Sequence, residues 1–430
     1  MIHMNKVQKL LLVHSSDIIF VGVDVAKKTH YARIINHIGL EVIKPFKFNN
    51  SIDGYERLVS KILEAKEKSK ATKILIGFEP SGHYWKPLAW FLKEKGYTVV
   101  IVNPYHVKQR KEEEDNSPSK NDRKDALIIA RLIKEGKFLN CLLPQNTYAD
   151  LRNLSVARKQ LIKKLNSVKN KIIAILDEYF PEFEEVFKNL WGKAALWILR
   201  NCPFPSIILK LSKEEIAEQL KKATNNRVGM KRAEKLIEAA KKSIGVKEGI
   251  KGAQIRLNIY LDELEFLKTQ LETIEKAMEE LLKKIDIAEY LLSIPGIGVI
   301  TVAGFLAEVG DIGKYTHYKQ IQKLGGLNIT DNQSGKHRGK TKISKRGRPE
   351  LRNLLYKASL TLVAKNKEFK ALYNYFLRRR ENPLEKKQAL IAISIKLIRV
   401  MFTLAKKKEK YDSQKVLGEY RMKQIKELVA

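Results

Sequence analysis

The first third of the chain alternates short, almost wholly apolar runs with longer stretches of helical periodicity. The run IIFVGVDV (18–25) leads through the polar turn AKKTH into YARII, and EVIKPFKF (41–48) follows as a third extended stretch. Helix-length segments flank two further apolar runs, KILIGFE (73–79) and TVVIVNP (98–104). The predicted order is β-β-β-α-β-α-β-α, with the polar stretch KEEEDNSPSK (111–120) as a loop before the last helix.

Three strands joined by tight turns and followed by alternating helices and strands are typical of a ribonuclease H-like α/β domain. We predict this domain for residues 16–140. An aspartate after a first strand also opens the actin-like kinase and ATPase fold, but that fold needs a glycine-rich phosphate loop directly afterwards. The residues that follow Asp24 are VAKKTH and contain no glycine, so the actin-like alternative ranks low.

Helical signals fill the region predicted as residues 146–288. Apolar residues recur every three or four positions from about Tyr148 to Phe180, and the other faces of this helix are basic. From Leu257 to Ile285 the apolar spacing becomes a heptad, with Glu and Lys outside the seam. This pattern predicts a coiled coil, which pairs either within the chain or between two chains.

A Pro-Gly-Ile-Gly turn (295–298) lies between two apolar helical segments and resembles a helix-hairpin-helix motif. Backbone amides at such a turn can hold a DNA phosphate. We predict a mostly helical C-terminal domain over residues 289–405 and a basic helical tail over 406–430. The predicted fold class is therefore α/β plus all-α.

The charge of the chain indicates a polyanionic partner. The formal net charge is +34, and nucleic acid is the commonest partner for such a surplus. Residues 331–430 contain 27 Lys and Arg against nine Asp and Glu, a net charge of +18. This portion is therefore the stronger candidate for binding the polyanion. The two cysteines lack CxxC spacing, which excludes a disulfide scaffold. No apolar run reaches membrane-spanning length, so we expect no membrane partner and a cytoplasmic, nucleoid-associated prokaryotic protein.

Four carboxylates fall at the ends of elements of the first predicted domain. Asp24 ends the first strand, Glu79 ends the fourth, and Asp122 and Asp125 share one face of a helix's first turn. Taken singly, each is explained as a polar strand end or as a favourable charge near a helix dipole. Together they predict a site for Mg²⁺, or Mn²⁺, because carboxylate oxygens suit these ions and clustered carboxylates repel one another without a cation.

A glycine- and lysine-rich loop, TDNQSGKHRGK (330–340), is the second candidate site. Ser334 could attack phosphorus if the neighbouring cations stabilised the transition state, although a Ser-Gly pair in a loop is usually a turn. Ser344 is a second candidate nucleophile. Basic residues near the two candidate sites, and one on the long helix, are predicted to contact nucleic acid: Lys120, Arg123, Lys124, Arg158, Lys336, Arg338, Lys345 and Arg346.

Several blocks together resemble the DEDD transposases of the insertion sequence 110 family, which are RNA-guided DNA recombinases. The similarity rests on these blocks: VGVDVAKKTH, GFEPSGHYW, VNPYHVK, NDRKDALIIAR, IPGIGVITVAGFLAEVGD and LGGLNITDNQSGKHRGKTKISKRGRPELRNLLYKAS. The stretch from about Pro181 to Gly252 departs from the family pattern, since it is longer than expected and contains no recognisable motif.

The resemblance implies a RuvC-like N-terminal domain in which Asp24, Glu79, Asp122 and Asp125 bind Mg²⁺. It also implies that residues 289–405 form a transposase domain, in which Ser334 best matches the serine that attacks DNA. The implied partners are double-stranded DNA, a structured noncoding bridge RNA, and further copies of the chain in a dimer or tetramer. The long basic helix and the coiled coil would then serve RNA binding and assembly.

The predicted function is transposition by DNA cleavage and strand exchange without ATP. One alternative is a RuvC-like nuclease that cuts DNA junctions with metal-activated water, in which case Ser334 is a bystander. A second alternative is a nucleic-acid scaffold without catalytic activity. Substituting Ser334 and the four carboxylates distinguishes the three hypotheses, because each hypothesis assigns these residues a different role in catalysis.

Overall fold

The computed structural model describes residues 6–80, 82–114, 122–141, 143–330, 333–334, 337–338 and 341–429. At a few of these positions, Asp122, Arg123, 333–334 and 337–338 among them, the description covers the backbone alone. The chain divides into two compact units. Unit 1 comprises Met1–Gln145 with Gly313–Thr316, and unit 2 comprises Asn146–Ile312 with His317–Ala430.

Unit 1 is a mixed α/β unit. Its strands are β1 (Ile18–Asp24), β2 (Thr29–Asn36), β3 (Phe46–Asn49), β4 (Lys73–Phe78), β5 (Thr98–Val102) and β6 (Phe138–Asn140). Its helices are α1 (Lys6–Val13), α2 (Ile52–Lys68), α3 (Trp85–Glu94), α4 (Pro104–Glu114) and α5 (Asp122–Lys134). The predicted order of strands and helices is confirmed, with α1, α4 and β6 as additions.

The six strands form one sheet in the order β3-β2-β1-β4-β5-β6. Strands β1, β4 and β5 are parallel, whereas β2, β3 and β6 each run antiparallel to their neighbours. The two parallel strands at the centre, β1 and β4, are almost fully buried, which explains their nearly continuous apolar sequences. Both end at the same edge of the sheet.

Helices cover both faces of this sheet. Alternate residues of β1 (Ile19, Val21 and Val23) face a core shared with α2 and α3. The intervening residues Ile18 and Phe20 face a second core shared with α5. Odd-numbered residues of β1 therefore face the side of the sheet covered by α2 and α3, and even-numbered residues face the side covered by α5.

Two local predictions in unit 1 are wrong. The stretch predicted as a loop at 111–120 begins as the last turn of α4, because Val107 is buried and Arg110 pairs with Glu113 and Glu135. Residues 115–120 lie outside the described residues. The third strand is shorter than the predicted 41–48 and occupies Phe46–Asn49, where it pairs with the start of β2.

Unit 2 is mostly helical. Its first helices are α6 (Asn146–Tyr179), α7 (Phe183–Val186), α8 (Lys193–Asn201), α9 (Pro205–Ile208), α10 (Lys213–Thr224), α11 (Met230–Lys241) and α12 (Ile250–Lys283). The next are α13 (Ala288–Leu292), α14 (Val299–Val309) and α15 (Tyr318–Leu324), then four short strands β7 (Ile329–Thr330), β8 (Gln333–Ser334), β9 (His337–Arg338) and β10 (Lys342–Ile343). The last helices are α16 (Pro349–Lys365), α17 (Lys367–Arg378), α18 (Lys386–Lys407), α19 (Ser413–Leu417) and α20 (Glu419–Val429).

The two longest helices, α6 and α12, pack against each other as an antiparallel pair within the chain. Near one end of the pair Arg158 lies 2.6 Å from Glu275, and near the other Arg256 lies 3.1 Å from Glu178. The heptad residues of α12 supply much of the seam, where Leu257, Leu264, Leu267 and Met278 are buried. The apolar seam predicted from Leu257 onward therefore packs against α6 of the same chain.

Judged by length and composition alone, helix α18 could cross a membrane, because it is apolar and has 22 residues. The expectation that no segment reaches that length was therefore wrong. Its apolar residues are the centre of the C-terminal helical bundle, where Ile393, Leu397 and Met401 are buried, and it packs on α13, α15, α16 and α17. This burial is what the core helix of a helical bundle requires.

Candidate functional site

The two central strands of unit 1 share the pattern glycine, apolar residue, carboxylate at their ends. In β1 this is Gly22-Val23-Asp24, and in β4 it is Gly77-Phe78-Glu79, where the strand ends one residue before the acid. Gly22 and Gly77 are partners in the parallel register, as are Val23 and Phe78. Asp24 and Glu79 are thus equivalent positions on adjacent strands.

Both glycines face α5 and allow that helix to approach the sheet closely. A Cβ atom on Gly22 would lie 2.1 Å from the carbonyl oxygen of Ala126 and 2.5 Å from the amide nitrogen of Ala130. A Cβ atom on Gly77 would lie 2.6 Å from the Cδ1 atom of Ile133. Because side chains alternate along a strand, Asp24 lies on the α5 side of the sheet, and continuing the alternation places Glu79 there as well.

The direction of α5 brings its first turn to the carboxylate edge. Its far end lies at the opposite edge, since Gly136, just beyond α5, is adjacent to Val13, which precedes β1. The helix therefore runs antiparallel to β1 and starts near the end of that strand. Asp125 directly precedes Ala126, the residue that contacts Gly22. Asp24, Glu79 and Asp125 are thus placed at one edge and on one face.

The described acids at this edge are all partly exposed, and each of them interacts with another group of the protein. Asp125 forms an ion pair with Lys111 of α4, and Asp24 and Glu79 have interactions of their own. Asp122 begins α5, one turn before Asp125, and its side chain lies outside the described residues. Within the described side chains, no three His, Cys, Asp or Glu groups converge closely enough to hold a metal ion. The edge therefore presents acids side by side, with an ammonium group as the cation beside Asp125.

A buried histidine supports the turn that follows Asp24. The Nδ1 atom of His30 accepts a hydrogen bond of 3.1 Å from the amide of Ala26, so its ring proton is on Nε2. Burial lowers the pKa of His30 and keeps the ring neutral. The ring packs against Phe48 and Tyr55. His30 was not among the predicted site residues, although the alternating pattern of its strand indicates that its side chain points inward.

His83, which stands beside Glu79 in the sequence, has a different environment. Its ring is exposed and lies 4.3 Å, centroid to centroid, from that of Tyr84.

The second candidate site is a two-tiered β-arm in unit 2. Strands β7 and β10 pair at its base, and β8 pairs with β9 farther out, with Ser334 opposite His337. The side chains of Ser334 and Arg338 lie outside the described residues, as does Lys336. The backbone places Ser334 at the outer hairpin of the arm, next to its two-residue connection.

The base of the arm is held by close backbone packing. The amide of Ser344 donates to the carbonyl of Asn328 at 2.8 Å, and the amide of Arg348 donates to that of Leu324 at 2.7 Å. A Cβ atom on Gly347 would lie 2.5 Å from the amide nitrogen of Gly326, so the two segments fit only without side chains there. Ser344 belongs to this base, whereas Ser334 belongs to the outer hairpin.

A buried carboxylate anchors the same base to the helices of unit 2. Glu308 of α14 is 8% exposed, and its Oε2 atom lies 2.8 Å from Arg152 of α6 and 3.7 Å from Arg348. Arg348 also donates to the carbonyl of Glu308. Removing one partner from a buried ion pair typically destabilises the folded state by about 3–5 kcal/mol. This network therefore holds the start of the β-arm against α6 and α14.

The predicted nucleic-acid contacts differ in their availability. Lys124, Lys345 and Arg346 are exposed. Arg158 is held in its ion pair with Glu275 inside the α6–α12 seam. The side chain of Arg123 and the whole of Lys120 lie outside the described residues.

Comparison with known families matches two separate stretches of the chain. A DEDD transposase model of IS110, described as a transposase, matches residues 21–181 and includes all four acids. A model of the transposase IS116/IS110/IS902 family matches residues 288–374 and includes Ser334. The chain belongs to the IS110 family of transposases. It is accordingly a DNA transposase or recombinase.

Similar proteins cover most of this IS110-family chain. The mini-circle putative transposase for IS117 of Streptomyces coelicolor is 24% identical over 74% of this chain and 78% of its own length. An uncharacterised 43.6 kDa protein of IS110, also from Streptomyces coelicolor, is 22% identical over 93% of this chain and 97% of its own. A pilin gene-inverting protein of Moraxella bovis is 22% identical over 92% and 98%.

Proposed function

We propose that this IS110-family chain cuts and rejoins double-stranded DNA at a divalent-metal centre held by Asp24, Glu79, Asp122 and Asp125. The observation that carries the proposal is the repeated glycine-x-acid pattern, which sets two carboxylates on adjacent strands beneath the first turn of α5. The strand order and the antiparallel β2 are those of a ribonuclease H-like sheet, which supports this fold for residues 16–140.

The donor set fits Mg²⁺ or Mn²⁺. All four proposed ligands supply carboxylate oxygens, the hard donors that these ions prefer. When bound, such ions clamp the scissile phosphate and neutralise charge that develops in its displacement. The pairing of Lys111 with Asp125 is consistent with a position that favours a cation. Binding of an ion there would release Lys111 to contact a DNA phosphate, together with Lys124 and the neighbouring Lys120 and Arg123.

The proposed nucleophile is the hydroxyl oxygen of Ser334. Its Oγ atom forms a bond to phosphorus while the bond from phosphorus to a deoxyribose oxygen breaks. The hydroxyl proton leaves, and the deoxyribose oxygen gains a proton to become a free hydroxyl group. The phosphodiester bond energy is kept in the protein-DNA link, so a second strand can reverse the step without ATP. The position of Ser334 on the outer hairpin, rather than in the packed base, supports it over Ser344.

The proposed partners follow from charge and from an exposed apolar face. The net charge of +34 supports binding of double-stranded DNA and of a structured guide RNA. Three large apolar residues of α12 are exposed, Ile255, Ile259 and Phe266, at 58–63% each. Such a row on a helix supports assembly into a dimer or tetramer.

Trapping the reaction tests the nucleophile. We expect wild-type protein and Ser344→Ala to form a covalent protein-DNA adduct that survives denaturation. We expect Ser334→Ala to form none and to lose strand exchange by about a thousandfold, because the attacking oxygen is gone. Denaturing gel electrophoresis of end-labelled DNA measures both. An adduct that persists in Ser334→Ala would refute this assignment.

A second candidate function is a RuvC-like nuclease that uses metal-activated water. One observation favours it: all four acids lie in unit 1, so the proposed metal centre needs no residue of unit 2. The same experiment separates the two functions. Clean hydrolysis without any adduct, undiminished in Ser334→Ala, would support the nuclease and overturn the transposition mechanism with a serine nucleophile.

A further inference from the structure

Three cations of unit 2 gather on the C-terminal bundle, remote in sequence from both candidate sites. Helix α18 carries Lys396 and Arg399 three residues apart, hence on one face. Helix α20 contributes Arg421, whose charge acts on Lys396 together with that of Arg399. We call Lys396, Arg399 and Arg421 the cationic cluster.

Two tyrosines hold the guanidinium groups of this cluster. Arg421 lies 4.3 Å from the ring centroid of Tyr375 on α17, and Arg399 lies 5.9 Å from that of Tyr318 on α15. Cation-π contacts orient a guanidinium group without neutralising it. Nη1 of Arg421 donates to the side-chain oxygen of Gln424 at 2.7 Å, an uncharged acceptor that leaves the positive charge of the group unbalanced. The remaining N–H donors of the two guanidinium groups can bind an anion.

Among the described side chains, no acid pairs with the cluster to balance its charge. None of the three side chains makes an ion pair with any residue in the described parts of the chain, whereas Lys415 of α19 pairs with Glu409. Lys396 is half-buried, and burial together with the two arginines lowers its pKa to about 8. A partly buried cation beside two like charges is unfavourable for the folded state alone. Such an arrangement is characteristic of a site that awaits an anion.

We propose that Lys396, Arg399 and Arg421 form a binding site for a phosphate group of a nucleic-acid backbone. Arginine donors match phosphate oxygens in paired, charge-assisted hydrogen bonds, and a lysine adds a point charge. Nucleic acid is the fitting source because the chain is an IS110-family transposase and residues 331–430 carry a net +18. The site shares no residue with the four acids or with the β-arm, so it does not depend on the proposed catalytic mechanism.

The test is the salt dependence of binding by the full-length protein. Affinity is measured against salt concentration for a short DNA duplex and, separately, for a single-stranded RNA, both of arbitrary sequence. We expect Lys396→Met and Arg421→Gln each to weaken binding about fivefold, and to reduce the slope of log K against log [salt] by about one. The nucleic acid that shows the reduced slope is the one whose phosphate occupies the site.

Lys387→Met is the matched control, since Lys387 is an exposed lysine at the start of the same helix. It should leave the slope at the wild-type value. Thermal unfolding distinguishes a binding role from a structural one. Lys396→Met should unfold at the same or a higher temperature, because it removes a half-buried cation. Unchanged slopes on both DNA and RNA, or a weakening explained by a lower unfolding temperature, would overturn the proposal.

Discussion

Asp24→Asn is expected to slow DNA strand cleavage about a thousandfold, which corresponds to ~4 kcal/mol in activation free energy. Asparagine keeps the shape of the side chain and removes the negative charge that the proposed metal centre needs. Binding to DNA should remain close to wild type, because phosphate contacts by Lys and Arg supply most of that affinity. Single-turnover cleavage in Mg²⁺ measures the first effect and a filter-binding titration the second.

Asp53→Asn is the control for this substitution. Asp53 is an exposed aspartate in the first turn of α2, a helix that covers the opposite face of the sheet from α5, and its variant should cleave at the wild-type rate. Cleavage by Asp24→Asn within a few-fold of wild type would remove this residue from the catalytic centre. Strand exchange that was likewise unaffected by Glu79→Gln and Asp125→Asn would exclude catalysis at this edge of the sheet.

Gly22→Ala is expected to destabilise unit 1 by about 3 kcal/mol or more. The added methyl group meets two backbone atoms of α5, the Ala126 oxygen at 2.1 Å and the Ala130 nitrogen at 2.5 Å. Backbone atoms cannot rotate away as a flexible side chain can, so the whole helix has to shift. Because Asp125 is next to Ala126, that shift also displaces a proposed metal ligand, and cleavage should fall with stability.

Hydrogen exchange followed by mass spectrometry measures this effect locally, as faster exchange of peptides from β1 and α5. Gly252→Ala is the matched control. Nothing lies within 4 Å of a Cβ atom at Gly252, which stands in the exposed part of α12. Its replacement should stabilise the helix by roughly 0.5–1 kcal/mol. Wild-type exchange in β1 and α5 of Gly22→Ala would show that the helix does not lie on the strand as described.

Much of unit 1 could be predicted because its strands are buried on both faces and read as apolar runs. The sequence also located the ends of β1 and β4, and with them Asp24 and Glu79. The close approach of α5 could not be predicted, because Gly22 meets Ala126 and Ala130 more than a hundred residues later. A glycine within a strand indicates that another segment packs closely against it, but does not show which segment.

The wrong local predictions share a physical cause. The end of α4 looked like a loop because Lys111 and three glutamates follow one another, yet Arg110 pairs with Glu113 and with Glu135. No apolar run was expected to reach membrane-spanning length, whereas the 22 residues of α18 do so by length and composition, and its apolar residues fill the bundle. Tertiary contacts decided both cases.

Basic residues were the least predictable part of the molecule. Arg158 appeared free on a basic helix face, but the fold pairs it with Glu275. Conversely, Lys396, Arg399 and Arg421 stand in separate stretches of the sequence, and no motif links them. Only the packing of α15, α17, α18 and α20 brings these three cations together, and no side chain that the structure describes forms an ion pair with them.

Iron-mediated cleavage of the protein backbone tests the proposed metal centre most directly. Fe²⁺ occupies Mg²⁺ sites and, with ascorbate and peroxide, generates radicals that cut the chain beside the bound ion. We expect fragments that end close to Asp24, Glu79 and Asp125, suppressed by excess Mg²⁺ and absent in Asp24→Asn. Cleavage elsewhere, or the same cuts undiminished in Asp24→Asn, would contradict a metal centre at this edge of the sheet.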